Sequence, residues 1–222
     1  MSFAIAVDGP AGAGKSTVSK RAAQKLHFVY VDTGAMYRTI ALYLLEHDVD
    51  TEDEEALSEA LSKIRIGIEY RDQTQCMFLN GEDVSDRIRT PEVSQGASVA
   101  AAIPAVRQKL LDLQRSMAAE ADVIMDGRDI GTNILPDAQL KIFLTASVEE
   151  RARRRYLELS QNGTACSLEE ISREIEERDW RDSHRETAPL CRAEDAVLLD
   201  TSDMTLDEAV DALTQLAKER MS

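Results

Sequence analysis

The sequence predicts an α/β fold: a parallel sheet of five short strands flanked by helices, with a small antiparallel sheet and a short helical lid inserted. Three observations support this. Short apolar runs alternate with stretches of helical periodicity, the pattern of βα units. A glycine-rich loop stands directly between the first apolar run and the first helix. Between residues 64 and 90 the pattern changes to two-residue alternation broken by Asn80-Gly81, a strong turn signal.

The five core strands are expected at Phe3–Val7, Phe28–Val31, Val123–Met125, Leu140–Leu144 and Val197–Leu199, short apolar runs that suit a parallel sheet. Helices fill the intervals. Capping boxes of the form S/T-x-x-E announce several of them: Thr51 with Glu54, Ser147 with Glu150, Ser167 with Glu170, and Thr205 with Glu208. Pro104 suits the first turn of a helix running to Glu120, whose Val106, Leu110, Leu113 and Met117 recur at helical spacing. In the insertion, Ile64, Ile66, Ile68 and Tyr70 alternate as a strand, and Cys76-Met77-Phe78-Leu79 forms a second. Residues 160–167 form a polar loop between two arginine-bearing helices, either a mobile lid or the turn of a plain helical hairpin.

A chain of 222 residues is long for one compact unit and short for two. It is expected to be one unit over 1–222, with a core at about 1–33, 100–150 and 190–222, a lobe carrying the insertion at about 34–99, and a lid with adjoining helices at about 151–189. Hydrophobic content of 43% and charged content of 30% are globular values. No apolar run approaches the roughly 18 residues a membrane helix needs, and no basic segment precedes an apolar stretch at the N-terminus. Cys76, Cys166 and Cys191 are far apart, with no C-x-x-C pair, so a reducing cytoplasm is expected and a zinc site is not. The net charge of −15 argues against a nucleic-acid polymer as partner. Against that background residues 151–192 hold nine arginines and no lysine. Arginine's planar fork suits phosphate oxygens, although neighbouring glutamates could also pair with some of these side chains.

Residues 9–16, Gly9-Pro10-Ala11-Gly12-Ala13-Gly14-Lys15-Ser16, match G-x-x-x-x-G-K-[ST], and Thr17 continues into the helix. Glycines let the backbone turn several N–H groups towards one point, which suits a polyphosphate, and the helix adds its positive end. Lys15 would reach β- and γ-phosphates and the Ser16 hydroxyl would sit on Mg²⁺. Asp32-Thr33-Gly34-Ala35-Met36-Tyr37-Arg38 follows the second strand. Arg38 and Tyr37 could hold a second phosphate, while Asp32 or Thr33 could equally cap the helix. Asp126-Gly127-Arg128-Asp129-Ile130-Gly131 follows the third core strand. There Asp126 is placed to hold Mg²⁺ through water, Arg128 to clamp phosphate and Asp129 to accept from a base amino group. In the run from Arg178 to Arg185, residues Arg178, Asp182 and Arg185 would share one helix face able to grip a sugar hydroxyl and a phosphate, or form a ladder of ion pairs.

These four motifs, in this order and spanning nearly the whole chain, resemble the bacterial cytidylate kinases, a group of P-loop nucleoside monophosphate kinases. The resemblance implies a P-loop kinase fold and transfer of the γ-phosphoryl group of ATP to CMP or dCMP, with Mg²⁺ as cofactor. It implies that residues 9–17 cradle ATP and that Arg38, Arg128 and Arg185 hold the acceptor phosphate, with Thr33 and Tyr37 nearby. Arg178 and Asp182 match residues at the ribose, and Ser98, Arg107 and Asp129 match the cytosine-reading set. Arg151-Ala152-Arg153-Arg154-Arg155 matches the start of a lid over ATP. Lys15, Arg38, Arg128 and Arg185 are then the expected catalytic residues, in a monomer that binds nucleotides and neither membrane nor nucleic acid. Serine at 16 stands where some members carry glycine and restores a hydroxyl for Mg²⁺, and Thr33 stands where others carry serine and keeps one. A kinase of UMP, AMP or shikimate is the nearest alternative. A slow P-loop switch is a more distant one, and the guanine-reading [NT]-K-x-D motif is absent from the sequence.

Overall fold

The computed structural model describes residues 2–161 and 166–221, so part of the expected polar loop at 160–167 lies outside the described residues. Five parallel strands form the main sheet: β1 (Ala4–Asp8), β2 (Val29–Asp32), β6 (Val123–Gly127), β7 (Leu140–Thr145) and β8 (Val197–Asp200), in the order β2-β6-β1-β7-β8. All five lie where the apolar runs predict them. Each extends at its C-terminal end by one or two residues, and the added residues include Asp8, Asp32 and Asp126, all buried.

Alternation along the strands feeds two cores. On one face Ala4, Ala6, Val31, Val123 and Met125 pack against α2 (Thr33–Glu46), α3 (Glu54–Lys63), α4 (Pro91–Ala100) and α5 (Pro104–Glu120). On the other, Ile5, Val7, Ile124, Ile142 and Leu144 pack against α1 (Lys15–Leu26) and α8 (Leu206–Met221). Both faces of the central strands β1 and β6 are covered, which is why they are apolar up to the acids at their C-terminal ends. A third, small cluster of Ala152, Ile171 and Ile175 joins α6 (Val148–Gln161) to α7 (Leu168–His184). Among the described residues no helix is long and apolar enough to cross a membrane.

The insertion is a three-stranded antiparallel sheet of β3 (Ile66–Arg71), β4 (Thr74–Leu79) and β5 (Glu82–Asp83). Asn80 and Gly81 both take positive φ, 52° and 91°, as a two-residue hairpin turn requires. The β3–β4 turn does the same with Asp72 and Gln73, at 49° and 60°, without a glycine to announce it. The insertion docks on the open edge of β2 through side chains. The Gln75 amide accepts from Asp32 N and donates to Asp32 O (2.9 and 3.2 Å), and Tyr70 OH donates to Tyr30 O at 2.9 Å.

Two expected helix starts need correction. Thr51 does not cap α3; Asp53 does, accepting from the backbone of Glu55 and Ala56. One Asp next to the helix outcompetes a threonine two residues farther back. Ser147 accepts from Glu150 N, but Glu150's carboxylate turns to Arg153 and Arg154, so the box closes in one direction only. The boxes at Ser167–Glu170 and Thr205–Glu208 are reciprocal.

Candidate active site

The C-terminal ends of β1, β2 and β6 face one cleft. The phosphate loop after β1 is shaped by backbone that a side chain would not tolerate. Gly9 has φ +150°, and a Cβ there would lie 1.9 Å from the Leu144 carbonyl oxygen on β7. Gly14, at φ +86°, leads into α1 and gives it no side-chain cap, so the first N–H groups of that helix are left for a ligand. Lys15 is buried and donates to the Pro10 carbonyl at 2.7 Å, closing the loop on itself. Burial, and next the Arg128 guanidinium, push its ammonium well below the usual lysine range.

Near the end of β6 stands Asp126, whose carboxylate accepts from Ser16 Oγ at 2.7 Å and Tyr30 OH at 3.2 Å. Burial raises its pKa, and the neighbouring Asp32 charge adds to the shift. Register explains the neighbour, since Asp32 on β2 pairs with Asp126 on β6. Asp32 is the cap of α2, accepting from Ala35 N at 2.8 Å, and it also holds Arg38 Nη2 at 2.8 Å. The Thr33 hydroxyl donates to the Asp126 carbonyl at 2.7 Å.

Beyond β6 the chain makes a wide helical turn at Ile130–Ile134. Asp8, the last residue of β1, fixes it by accepting from the backbone N–H of Ile130 and Gly131, both at 2.8 Å. This sets Asp129 between two arginines. Arg107 Nη2 donates to Asp129 Oδ2, and Arg185 Nη2 lies 3.3 Å from Oδ1. Arg107 also reaches the Tyr37 hydroxyl at 3.2 Å. Arg128 Nε donates to Asp182 Oδ2 at 2.8 Å. Arg178 is pulled down to about 10 by burial and by the charges of Arg128 and, more weakly, Arg38. Such mutual depression marks a crowd of cations whose natural partner is an anion. Asp182 is held below the usual carboxylate range because Arg128 and then Arg178 outweigh its burial. Arg38 Nε and Arg178 Nε are buried without a hydrogen-bond partner.

One expectation fails here. Arg178, Asp182 and Arg185 do not form a single helix face, because α7 ends at His184. Arg185 is its C-cap, in extended conformation, and its charge goes to Asp129. Arg178 alone stands over Asp182, at 4.0 Å.

One cavity of about 750 Å³ connects these groups. Ala11 to Val18 line it, together with Asp32, Thr33, Tyr37, Arg38, Ser98, Arg107, Asp126, Arg128, Asp129, Arg178, Asp182 and Arg185. Gly9 and Pro10 are not among its lining residues; Gly9 serves by letting the loop pass Leu144. Arg153, Arg154 and Arg155 line it from α6. Motif reading overlooked Asp8 and Asp179, although a charge closing the first apolar run was a visible signal for the former.

The cavity has a lysine-bearing glycine loop at one end and converging arginines at the other. The family model of cytidylate kinase matches residues 5–219. The chain belongs to the cytidylate kinase family. It is 49% identical over 219 residues to a cytidylate kinase of Bacillus cytotoxicus, covering 99% of this chain and 97% of that one. It is 47% identical over 216 residues to that of Lactobacillus johnsonii, covering 97% and 94%. A solved structure of an uncharacterized protein from Eubacterium ventriosum superposes with a TM-score of 0.55 at 13% identity, covering 99% of each chain, which supports the fold alone. The activity that comes with the cytidylate kinase family is transfer of the terminal phosphoryl group of ATP to CMP or dCMP, giving ADP and CDP or dCDP, and ATP is the co-substrate.

Proposed function

We propose that this cytidylate kinase carries out the transfer in line, between ATP held by residues 9–17 and a cytidine monophosphate held by the arginine end of the cavity. The observation that supports this most is that Lys15, Arg38, Arg128 and Arg185, from four separate stretches of sequence, line one cavity. Loop N–H groups and Lys15 hold the donor phosphates. Arg38, Arg128 and Arg185 hold the acceptor phosphate, with Thr33 and Tyr37 beside it. Arg178 and Asp182 meet the sugar, and Ser98, Arg107 and Asp129 read the base, with Asp129 accepting from the 4-amino group. The unpartnered Nε atoms of Arg38 and Arg178 support an anion between them.

The acceptor is a phosphate oxygen already ionised near neutral pH, so no strong general base is needed. Positioning and charge neutralisation carry the rate. The donor set fits Mg²⁺. Ser16, Asp126 and Asp32 offer hard oxygen, and no cluster of three or more His, Cys, Asp or Glu among the described residues could hold an ion without help from phosphates and water. Ser16 would bind Mg²⁺ directly and Asp126 through water; bound there, it neutralises charge on the donor phosphates.

We take the protein to act as a monomer organised into the core, lobe and lid that the sequence suggests. Three free thiols fit the cytoplasm, and a net charge of −15 disfavours a nucleic-acid polymer. Replacing Lys15 with methionine tests the reading. Its kcat should fall by about 10³-fold, the scale of one lost transition-state charge contact. Near-normal turnover would contradict it.

A further inference from the structure

Helix α7 carries two acids three residues apart, Asp179 and Asp182, and they reach opposite ends of the cleft. Asp182 takes Arg128 on the acceptor side. Asp179 Oδ1 accepts from the backbone N–H of Ala11 at 3.2 Å, and Oδ2 accepts from Arg151 Nη1 at 2.6 Å. The same Arg151 nitrogen donates to the Ala11 carbonyl at 2.9 Å, while Arg151 Nε is held by the Ala146 carbonyl at 2.9 Å. Both backbone polar groups of one phosphate-loop residue are therefore engaged by an ion pair between α6 and α7. Arg151 is buried, and packing tightens the joint: a Cβ on Gly12 would lie 3.4 Å from Arg151 Cβ and 3.7 Å from Ile175 Cδ1.

A loop of glycine and alanine has much conformational freedom to lose when it closes on phosphate. Fixing it beforehand removes that cost from binding. Asp179 does so without lining the cavity. We propose that Asp179 is the donor-side positioning residue of this enzyme. Through Arg151 and Ala11 it locks the phosphate loop to α7, whose Asp182, one turn farther on, locks acceptor-side Arg128. The inference rests on the reading of residues 9–17 as the ATP site.

The test compares full-length wild type with Asp179→Ala, Asp179→Asn and, as a control at an exposed neighbour, Trp180→Phe. The readings are KM for ATP at saturating CMP, KM for CMP at saturating ATP, and melting temperature. Losing a charge-assisted hydrogen bond that orders the loop should raise KM for ATP about ten-fold in Asp179→Ala, with KM for CMP nearly unchanged. Asp179→Asn keeps an oxygen for Ala11 N–H and should fall between; it decides by the same criteria should the alanine variant fail to fold. Trp180→Phe should match wild type. A lower melting temperature with both KM values unchanged would show a merely structural role and overturn the proposal. Equal rises in both KM values would overturn it as well. Lys15→Met separates the two levels: wild-type kcat and KM for ATP in that variant would remove the ATP site from residues 9–17, and the inference with it.

Discussion

Ser16 Oγ donates to Asp126 Oδ2 at 2.7 Å, bringing the head of α1 and the end of β6 into contact across 110 residues of chain. The hydroxyl and the carboxylate proposed to hold Mg²⁺ are thus already in contact. Ser16→Ala should raise the Mg²⁺ concentration for half-maximal turnover on the order of ten-fold, the usual scale for loss of a metal-orienting group. It should hardly move the melting temperature, because Ser16 is exposed. Unchanged Mg²⁺ dependence would take Ser16 out of the metal site.

Asp129 has an observed ion pair and a proposed role as base reader, and one substitution tests both. As base reader, its loss raises KM for CMP far more than KM for ATP. As the partner of Arg107, which is 7% exposed, its loss leaves a buried guanidinium without counter-charge. Asp129→Ala should therefore also cost about 3 kcal/mol of stability, measured by urea unfolding. Equal changes in the two KM values would mean that Asp129 does not read the base.

Asp8 gives a pH signature. Burial pushes its carboxyl up to about 6 from 3.8; the N–H groups of Gly131 and Ile130 and the Lys15 charge oppose the rise, and the Asp129 charge assists it. Between those values the folded protein binds more protons than the unfolded chain, so this group's contribution to stability falls as pH rises. Relative to Asp8→Asn, wild type should lose up to about 3 kcal/mol across that window and show no further change above it. Parallel stability–pH curves for the two proteins would contradict this.

The helix cap provides a stability test free of chemistry. Asp53→Ala should cost about 1 kcal/mol, and Thr51→Ala less than about 0.5 kcal/mol, in thermal unfolding. The reverse order would return the cap of α3 to Thr51.

The cap at Asp53 also shows where sequence reading reaches its limit. Strands buried on both faces, such as β1 and β6, are legible because apolar residues fill them up to the acid near their C-terminal ends. The Asn80-Gly81 turn is legible because positive φ favours that pair, whereas Asp72-Gln73 adopts the same backbone with weaker local preference. Contiguous motifs likewise single out Lys15, Arg38 and Arg128, which line the cavity. Contacts that depend on register and packing leave no such trace. Asp8 finds Ile130 and Gly131 because β1 pairs with β6, and Gln75 finds Asp32 because the insertion lies on the edge of β2. Arg185 leaves the face of Asp182 because α7 stops one residue earlier, a boundary that the charge pattern does not mark.

The most direct measurement is ADP release from ATP in the presence of CMP, dCMP, UMP, AMP or shikimate in turn. The proposed placement, with one phosphate chain at Lys15, a second phosphate at Arg38, Arg128 and Arg185 and the base at Asp129, predicts rapid release with CMP or dCMP and much slower release with the other three. Release that proceeds at one rate whatever acceptor is added would contradict it.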